Sequence, residues 1–220
     1  MAKASVAFML SDWQNYSNAI LYVPYGTKSM YESTDGWKNI RNIVDMAPPT
    51  IEITTSFAGY ATFYDSRSAY ILPYNMSAIV VTNVSNSKMT YKTIADGAVS
   101  DVIPKGTAVM LVSGSKQART YTLASSENTA TYNGTNLLHG SDEATTTTGD
   151  GYHYKLSYGP TGTKWDDVFG WYWGSQNGAP FQIEGHNSIL FCSTSQCDAD
   201  IVCSGTIRRL SAVCRGRQGL

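Results

Sequence analysis

The 220-residue chain carries 16 basic and 17 acidic side chains, which gives a net charge of −1. That balance creates no global field that would attract nucleic acid or an anionic membrane surface. No apolar run reaches the roughly 18 residues of a membrane span, so membrane insertion is not expected. The low content of charged residues (15%) and the 15 tyrosines are typical of a β-rich, often extracellular domain.

The first 46 residues predict a small α/β unit. Strands are predicted at 19–23 and 41–44, with a helix between them inside 28–38. Pro48 and Pro49 then interrupt any regular element, because proline fixes φ and lacks a backbone donor. Residues 47–50 are therefore predicted to form an exposed linker that ends this first domain.

Four short segments of this unit follow a recognisable order. Residues 21–24 read Leu-Tyr-Val-Pro, 26–28 read Gly-Thr-Lys, 37–38 read Trp-Lys, and 43–46 read Ile-Val-Asp-Met. In this order they resemble the last unit of BspA-like leucine-rich-repeat proteins of Bacteroidetes, with aspartate where that family has glutamate. The resemblance implies that residues 1–46 cap a repeat array, since a solenoid needs an end unit with a polar outer side.

Beyond the linker the hydrophobic period changes to two, which predicts strands. The predicted strands are residues 51–54, 60–64, 78–84, 89–94, 108–112, 119–123, 152–158, 169–173, 181–183 and 189–191. Glycine, proline and asparagine turns separate them, without a helical period in between. This pattern favours an antiparallel β-sandwich or barrel-like domain over residues 51–191. The fold class predicted for the whole chain is therefore mainly β, preceded by a small α/β unit.

The β-rich region carries a second ordered set of segments. They are Gly-Tyr-Ala-Thr-Phe at 59–63, Ile-Pro-Lys-Gly-Thr-Ala-Val-Met-Leu at 103–111, Asn-Leu-Leu-His-Gly at 136–140, Tyr-Lys-Leu at 154–156 and Gly-Trp-Tyr-Trp-Gly at 170–174. In order, they resemble a β-rich C-terminal module that often follows such repeats. Residues 185–190 depart from the sixth segment of that pattern, which is Lys-Ala-Tyr-Leu.

Residues 192–220 form a tail that contains all four cysteines: Cys192, Cys197, Cys203 and Cys214. No Cys-x-x-Cys pair occurs, which disfavours a zinc site in the tail. Two disulfides have three connectivities, and the sequence does not choose among them. Free thiols on a disordered tail, or a frameshifted reading frame, are the favoured interpretations. A basic nucleic-acid-binding arm is disfavoured because the tail lacks interleaved aromatic residues.

Catalytic chemistry is not predicted. The three histidines (His139, His153 and His186) lie far apart in sequence and are expected on loops or strand surfaces. No Gly-x-Ser-x-Gly elbow occurs. The acidic pairs 142–143 and 166–167 are adjacent residues, so each pair points to opposite faces of a strand and is expected to be solvated loop charge. No cofactor or metal ligand is predicted.

An aromatic cluster supplies the only candidate ligand-binding residues: Trp165, Trp171, Tyr172 and Trp173. Phe169, Trp171 and Trp173 share one strand face, and Tyr172 takes the other. A wet, coplanar set of these rings would form a stacking platform for sugars. A hydrophobic core is the favoured alternative, because buried aromatic side chains dominate the energetics of β cores.

The resemblances imply a non-catalytic cell-surface module of adhesin type that caps a leucine-rich-repeat array and binds host protein, matrix or glycan. Its partners would include the upstream repeats of the parent protein, and its location would be extracellular. Residues 1–10 lack a secretory signal pattern, so a signal is expected upstream. The alternative is a carbohydrate-binding accessory module that uses exposed tryptophans. A hydrolase with dispersed carboxylates ranks third.

Overall fold

The computed structural model describes residues 19–85, 88–98, 101–115, 117–147, 151–158, 169–175, 180–192, 200–203 and 214–217. The chain divides into two compact units, Met1–Pro49 and Thr50–Leu220. The boundary falls inside the predicted linker. Thr50 already begins a strand, whereas Pro48 and Pro49 lie outside every described strand. In the described part of the chain no helix is long and apolar enough to cross a membrane.

The first unit contains strand β1 (Ile20–Val23), helix α1 (Lys28–Ser33) and strand β2 (Asn42–Asp45), and the two strands pair in parallel. This order agrees with the sequence prediction. Gly26, with φ of 76°, allows the tight turn into the helix. The Asp45 carboxylate accepts a 3.1 Å hydrogen bond from the Lys28 amide, which ties the start of α1 to the end of β2.

The two faces of this parallel pair differ in burial. Val23 and Ile43 are buried on one face. The opposite face leaves large apolar side chains between 42% and 64% exposed, namely Ile20, Tyr22, Val44 and the adjoining Met46. Trp37 is half-buried and meets Tyr31 edge-on, with ring centroids 5.6 Å apart.

The second unit is built from antiparallel strands. These are β3 (Thr50–Thr55), β4 (Tyr60–Phe63), β5 (Ala69–Ile71), β6 (Met76–Ser85), β7 (Lys88–Ala95), β8 (Val102–Ile103), β9 (Val109–Ser113), β10 (Arg119–Ser126), β11 (Leu138–Ser141), β12 (Thr145–Thr147), β13 (Tyr152–Tyr158), β14 (Phe169–Ser175), β15 (Phe181–Ile183), β16 (Asn187–Cys192), β17 (Asp200–Cys203) and β18 (Cys214–Arg217). They form a four-stranded sheet (β3-β10-β5-β8), a ten-stranded sheet (β11-β16-β13-β14-β17-β18-β7-β6-β9-β4) and the pair β12-β15. The prediction of a mainly β, sandwich-like fold is confirmed.

Strands β6 and β9 are buried on both faces. Val80 and Leu111 pack with Ile53 and Leu123 of the four-stranded sheet in one hydrophobic cluster. Their sequence neighbours, Val81 and Met110, belong to a second cluster that also contains Trp171 and Leu190. A strand that is covered on both faces has a nearly continuous run of apolar residues. This two-sided burial explains why apolar and polar residues alternate only in part of the segment 78–84.

Residues 192–220 were predicted to form a disordered tail, but the parts of this tail that the structure describes include strands β17 and β18. Cys192 is buried at the end of β16. The backbones of β17 and β18 pair with each other and join β14 to β7 in the ten-stranded sheet, in a register that places residue 203 opposite 214. Cys197 lies outside the described residues. The boundary predicted at residue 191 is therefore not a boundary of the β structure.

Candidate functional site

Three metal-ligating side chains from three separate loops of the second unit lie together. Asp65 follows β4, Asp142 follows β11, and His186 precedes β16; one ligand atom from each lies within 4.8 Å of the others. Strand register accounts for this placement. Ser141 pairs with Asn187, so the residue after β11 meets the residue before β16. The Tyr64 amide donates a 3.3 Å hydrogen bond to the His186 carbonyl, which brings in the end of β4.

Asp65 is the most deeply buried member of this Asp–His cluster, with 3% of its surface exposed. Its Oδ1 accepts main-chain hydrogen bonds from Arg67 (2.7 Å) and Ser68 (2.9 Å), which fix the carboxylate plane. Its Oδ2 faces three looser contacts: the Tyr70 hydroxyl at 3.3 Å, His186 Nδ1 at 3.4 Å and Arg67 Nη2 at 3.7 Å. All three exceed the 2.7–2.9 Å typical of a charge-assisted hydrogen bond.

Asp142 is held by one residue. Its Oδ1 accepts a 2.8 Å hydrogen bond from the Ser66 amide, and its Oδ2 accepts one from the Ser66 hydroxyl. Burial raises the pKa of Asp142, but the two Ser66 hydrogen bonds and the charges of Arg67 and His186 outweigh that effect and lower the pKa below its usual value. Asp142 is therefore a carboxylate at neutral pH, on a loop and partly exposed as the sequence predicted, and Ser66 holds it in place.

His186 has a left-handed backbone conformation, with φ of 53°. Its Nδ1 lies 3.3 Å from the Tyr64 carbonyl oxygen and 3.4 Å from Asp65 Oδ2, so it faces two acceptors at once. Its Nε2 lies 3.5 Å from Arg67 Nη2. The Arg67 side chain is largely exposed and can move without disturbing the core.

The acidic groups also act on neighbouring phenols. Burial raises the pKa of Tyr64, and the charges of Asp142 and Asp65 raise it further. Burial likewise raises the pKa of Tyr70, followed by the charge of Asp65 and the hydrogen bond to it. Both phenols stay protonated at neutral pH, so neither adds to the negative charge of the cluster.

Two clefts border the cluster. One, of about 410 Å³, lies between β3, β4 and the start of β16 and is lined in part by Glu52, Thr62 and His186. The other, of about 340 Å³, is lined in part by Tyr64, Tyr132, Asn136 and His139. Gly140 shapes the second cleft, because a Cβ at this position would lie 2.2 Å from Cγ of Tyr64.

The aromatic residues predicted as ligand contacts are placed differently. Trp171 is fully buried and Tyr172 is nearly so, which favours the core interpretation for both. Among the described residues, the Trp171 indole nitrogen has no hydrogen-bond partner. Trp165 and the side chain of Trp173 lie outside what the structure describes. For these two residues, ligand binding stays a prediction.

The histidine predictions hold only in part. His139 is partly exposed on β11, with one ring face stacked on Phe191, whereas His153 is buried on β13 and its ring stacks with that of Phe181. The pKa of each imidazole is lowered by burial, and for His153 also by the charge of His139. The sequence did not indicate the grouping of His186 with Asp65 and Asp142, because only strand pairing brings these distant positions together. The acidic pair at 166–167 lies outside the described residues.

Comparisons with protein-family models, curated proteins and solved structures found no match to this chain. The resemblance to BspA-like proteins thus depends on the short segments themselves.

Proposed function

We propose that this chain is a non-catalytic, extracellular binding module of adhesin type, in which the first unit caps a leucine-rich-repeat array and the β-rich unit binds host protein, matrix or glycan. The observation that carries the proposal is the exposed apolar face formed by Ile20, Tyr22, Val44 and Met46. Parallel strands are normally covered on both faces. A two-stranded sheet is also marginal by itself in water.

A neighbouring repeat is the occupant that suits this face. In a solenoid each unit buries its apolar side only against the next unit, so an end unit detached from the array exposes that side. The sequence order Leu-Tyr-Val-Pro, Gly-Thr-Lys and Ile-Val-Asp-Met also suits a terminal unit. The exposed apolar side and the order of these segments both support a preceding repeat as the occupant of this face.

The charged cluster supports a structural role in preference to a catalytic one. Main-chain and side-chain donors from residues 66–68 already engage three of the four carboxylate oxygens of Asp65 and Asp142. Such contacts fasten loops together. A general base would instead need a free carboxylate or imidazole aimed at a substrate cleft. His186 lines the first cleft, but its Nδ1 faces two oxygen acceptors and its Nε2 faces Arg67.

Glycan binding is the second candidate function, and the lining of the second cleft favours it. The cleft of about 340 Å³ combines the rings of Tyr64 and Tyr132 with the polar groups of Asn136 and His139. Aromatic rings beside a few polar groups are the usual lining of a small-ligand site. This cleft differs from the tryptophan platform considered from the sequence.

The capping proposal is tested by hydrogen exchange on this chain and on a longer protein that includes the preceding residues of the reading frame. We expect the amides of β1 and β2 to gain protection in the longer protein, and we expect the added residues to contain repeats. Equal protection in both proteins, or an upstream frame without repeats, would rule the cap out.

The binding proposal is tested on arrays of glycans and matrix proteins. The Tyr132→Ala variant removes a ring from the second cleft, and Tyr74→Ala removes a ring that is 82% exposed elsewhere. Loss of a glycan signal in the first variant alone would assign the ligand to the cleft. If neither variant loses binding and the bound array component is a matrix protein, the result would favour recognition of protein at another surface.

A further inference from the structure

We propose that Asp65, Asp142, His186 and the Tyr64 carbonyl form a Zn²⁺ site that fastens three loops of the β-rich unit. The proposal goes beyond surface binding, since it concerns how the unit holds itself together. The three side chains come from the ends of β4 and β11 and from the start of β16. A shared ion would connect the β4 edge of the ten-stranded sheet to strands at its other end.

The spacing of the donor atoms suits a tetrahedral ion. Zinc bonds to nitrogen and oxygen measure about 2.0–2.2 Å, so the ligand atoms of a tetrahedral site lie roughly 3.3–3.6 Å apart. His186 Nδ1 is 3.4 Å from Asp65 Oδ2 and 3.3 Å from the Tyr64 carbonyl oxygen. One ligand atom of Asp142 lies within 4.8 Å of a ligand atom of each of the other two side chains, so Asp142 would have to move toward the ion to complete the set.

The hydrogen bonding around His186 Nδ1 also indicates a cation. This nitrogen faces two oxygen acceptors, but a single proton on Nδ1 can be directed at only one of them. Asp65 Oδ2 has only donors at 3.3 Å or more, although it belongs to a buried carboxylate. An ion between these atoms would give the nitrogen and both oxygens a short contact.

The outer contacts resemble those that orient metal ligands. Ligating carboxylates are usually held by further hydrogen bonds. Asp65 uses Oδ1 for the amides of Arg67 and Ser68, which leaves Oδ2 for an ion. Ser66 donates to both oxygens of Asp142, so an ion would use a remaining lone pair on one of them. Two carboxylates balance the charge of a divalent ion, and the imidazole favours zinc over Ca²⁺ or Mg²⁺, which take oxygen ligands.

Arg67 is the group that must move. When Nδ1 binds the ion, the proton of a neutral His186 moves to Nε2, and a protonated His186 releases one proton to solvent. An Nε2 proton then points toward Arg67 Nη2, which is 3.5 Å away, so two donors would face each other. The largely exposed guanidinium is free to swing into solvent. Arg67 thus competes with zinc for the same carboxylates.

The test is a Zn²⁺ titration of the full chain by calorimetry, after treatment with a chelator. We expect one ion per chain, with affinity at least about tenfold lower in His186→Asn and Asp142→Asn. Asparagine is suitable at 186 because it tolerates a left-handed backbone. The matched control His139→Asn should bind as the wild type does, and Arg67→Gln should bind more tightly.

Circular dichroism of each variant establishes that it is folded, so that a loss of binding reports the site. Substitution by Co²⁺ then separates this site from the cysteines, because thiolate ligands add a sulfur-to-metal charge-transfer band. A Co²⁺ complex without that band, lost in His186→Asn, supports the site. Three results would overturn the proposal: no zinc binding by the wild type, unchanged binding in His186→Asn, or a complex with the thiolate band.

Discussion

The parallel pair of the first unit and the central strands of the second unit bury their apolar residues in opposite ways. Strands β6 and β9 are covered on both faces, with Val80, Val81, Met110 and Leu111 all buried. Strands β1 and β2 bury one face and leave the other exposed. The second unit therefore supplies its own core. In the described part of the first unit, residues 19–49, only Val23 and Ile43 are buried apolar residues, and small sheets generally need further cover to be stable.

The largest expected effect lies in the self-sufficient unit. Trp171→Ala should lower the free energy of unfolding by about 3–5 kcal/mol, because it empties a fully buried site in the second hydrophobic cluster. Trp171→Phe should cost less than half as much, since it keeps an aromatic ring and removes an indole N–H that has no hydrogen-bond partner among the described residues. Urea unfolding gives both values.

Tyr74→Ala is the control for this measurement, because its ring is 82% exposed and its loss should change stability by no more than about 0.5 kcal/mol. A Trp171→Ala variant that unfolds at the wild-type urea concentration would show that this ring is not part of the core. Wild-type stability together with loss of binding to a defined glycan would restore the sugar-platform interpretation of Trp171.

A pair of valines tests the comparison inside the first unit. Val23→Ala should destabilise that unit by about 1.5–3 kcal/mol, because the side chain is buried. Val44→Ala should change its stability by less than about 0.5 kcal/mol, because Val44 lies on the exposed face. Hydrogen exchange at the amides of β1 and β2 measures each effect locally.

The same two variants in a longer protein sharpen the test of capping. If a neighbouring repeat covers the exposed face, Val44→Ala should become nearly as costly as Val23→Ala. An unchanged small effect of Val44→Ala in the longer protein would mean that the face stays open to solvent there.

Alternation of apolar and polar residues predicted the long strands well, but the strands β5, β8, β11, β12, β17 and β18 escaped it. Strand β8 has two residues, and β5 and β12 have three each, which is too short for a period to be seen. Strands β17 and β18 lie in a tail whose cysteines and arginines favoured disorder. The Thr145–Thr147 strand also lacks an apolar member, so only its pairing with Phe181–Ile183 reveals it.

The candidate site was beyond the reach of sequence reasoning for a physical reason. Asp65, Asp142 and His186 belong to three loops; Asp65 and His186 look like isolated polar residues in their segments, and Asp142 looks like one half of an adjacent acidic pair. Their proximity follows from the β11–β16 register and from the Tyr64–His186 main-chain hydrogen bond. Long-range pairing of this kind leaves no local pattern, whereas the core role of Trp171 could be read from its place on an aromatic strand face.

A smaller effect is expected from pH. The pKa of Asp142 is lowered in the folded protein, so its carboxylate stabilises the fold at pH values above its unfolded pKa, and that contribution is lost as the pH falls through the folded value. Asp142→Asn should flatten the dependence of stability on pH below about 5, by less than about 1 kcal/mol because the group is partly exposed.

Thermal unfolding between pH 7 and 3 measures this effect, with a substitution of the exposed neighbour, Glu143→Gln, as the control. Parallel pH profiles for wild type and Asp142→Asn would show that the Ser66 hydrogen bonds do not favour the charged form.

The smallest effect is expected from separating the two units. Residues 47–49 lie outside the described strands and are mostly exposed, and Pro48 and Pro49 cannot donate to a ladder, so a nonspecific protease should cut first near the Met46–Ala47 bond. Because the second unit buries β6 and β9 within its own sheets, its urea midpoint should stay the same after the cut. The first unit should lose protection or be degraded, since one of its apolar faces is uncovered.

Mass spectrometry locates the cut, and urea unfolding of the purified 50–220 fragment measures its stability. Protection of residues 47–50 from the protease, or a clear fall in the midpoint, would mean that the second unit depends on the first and that the two share one core.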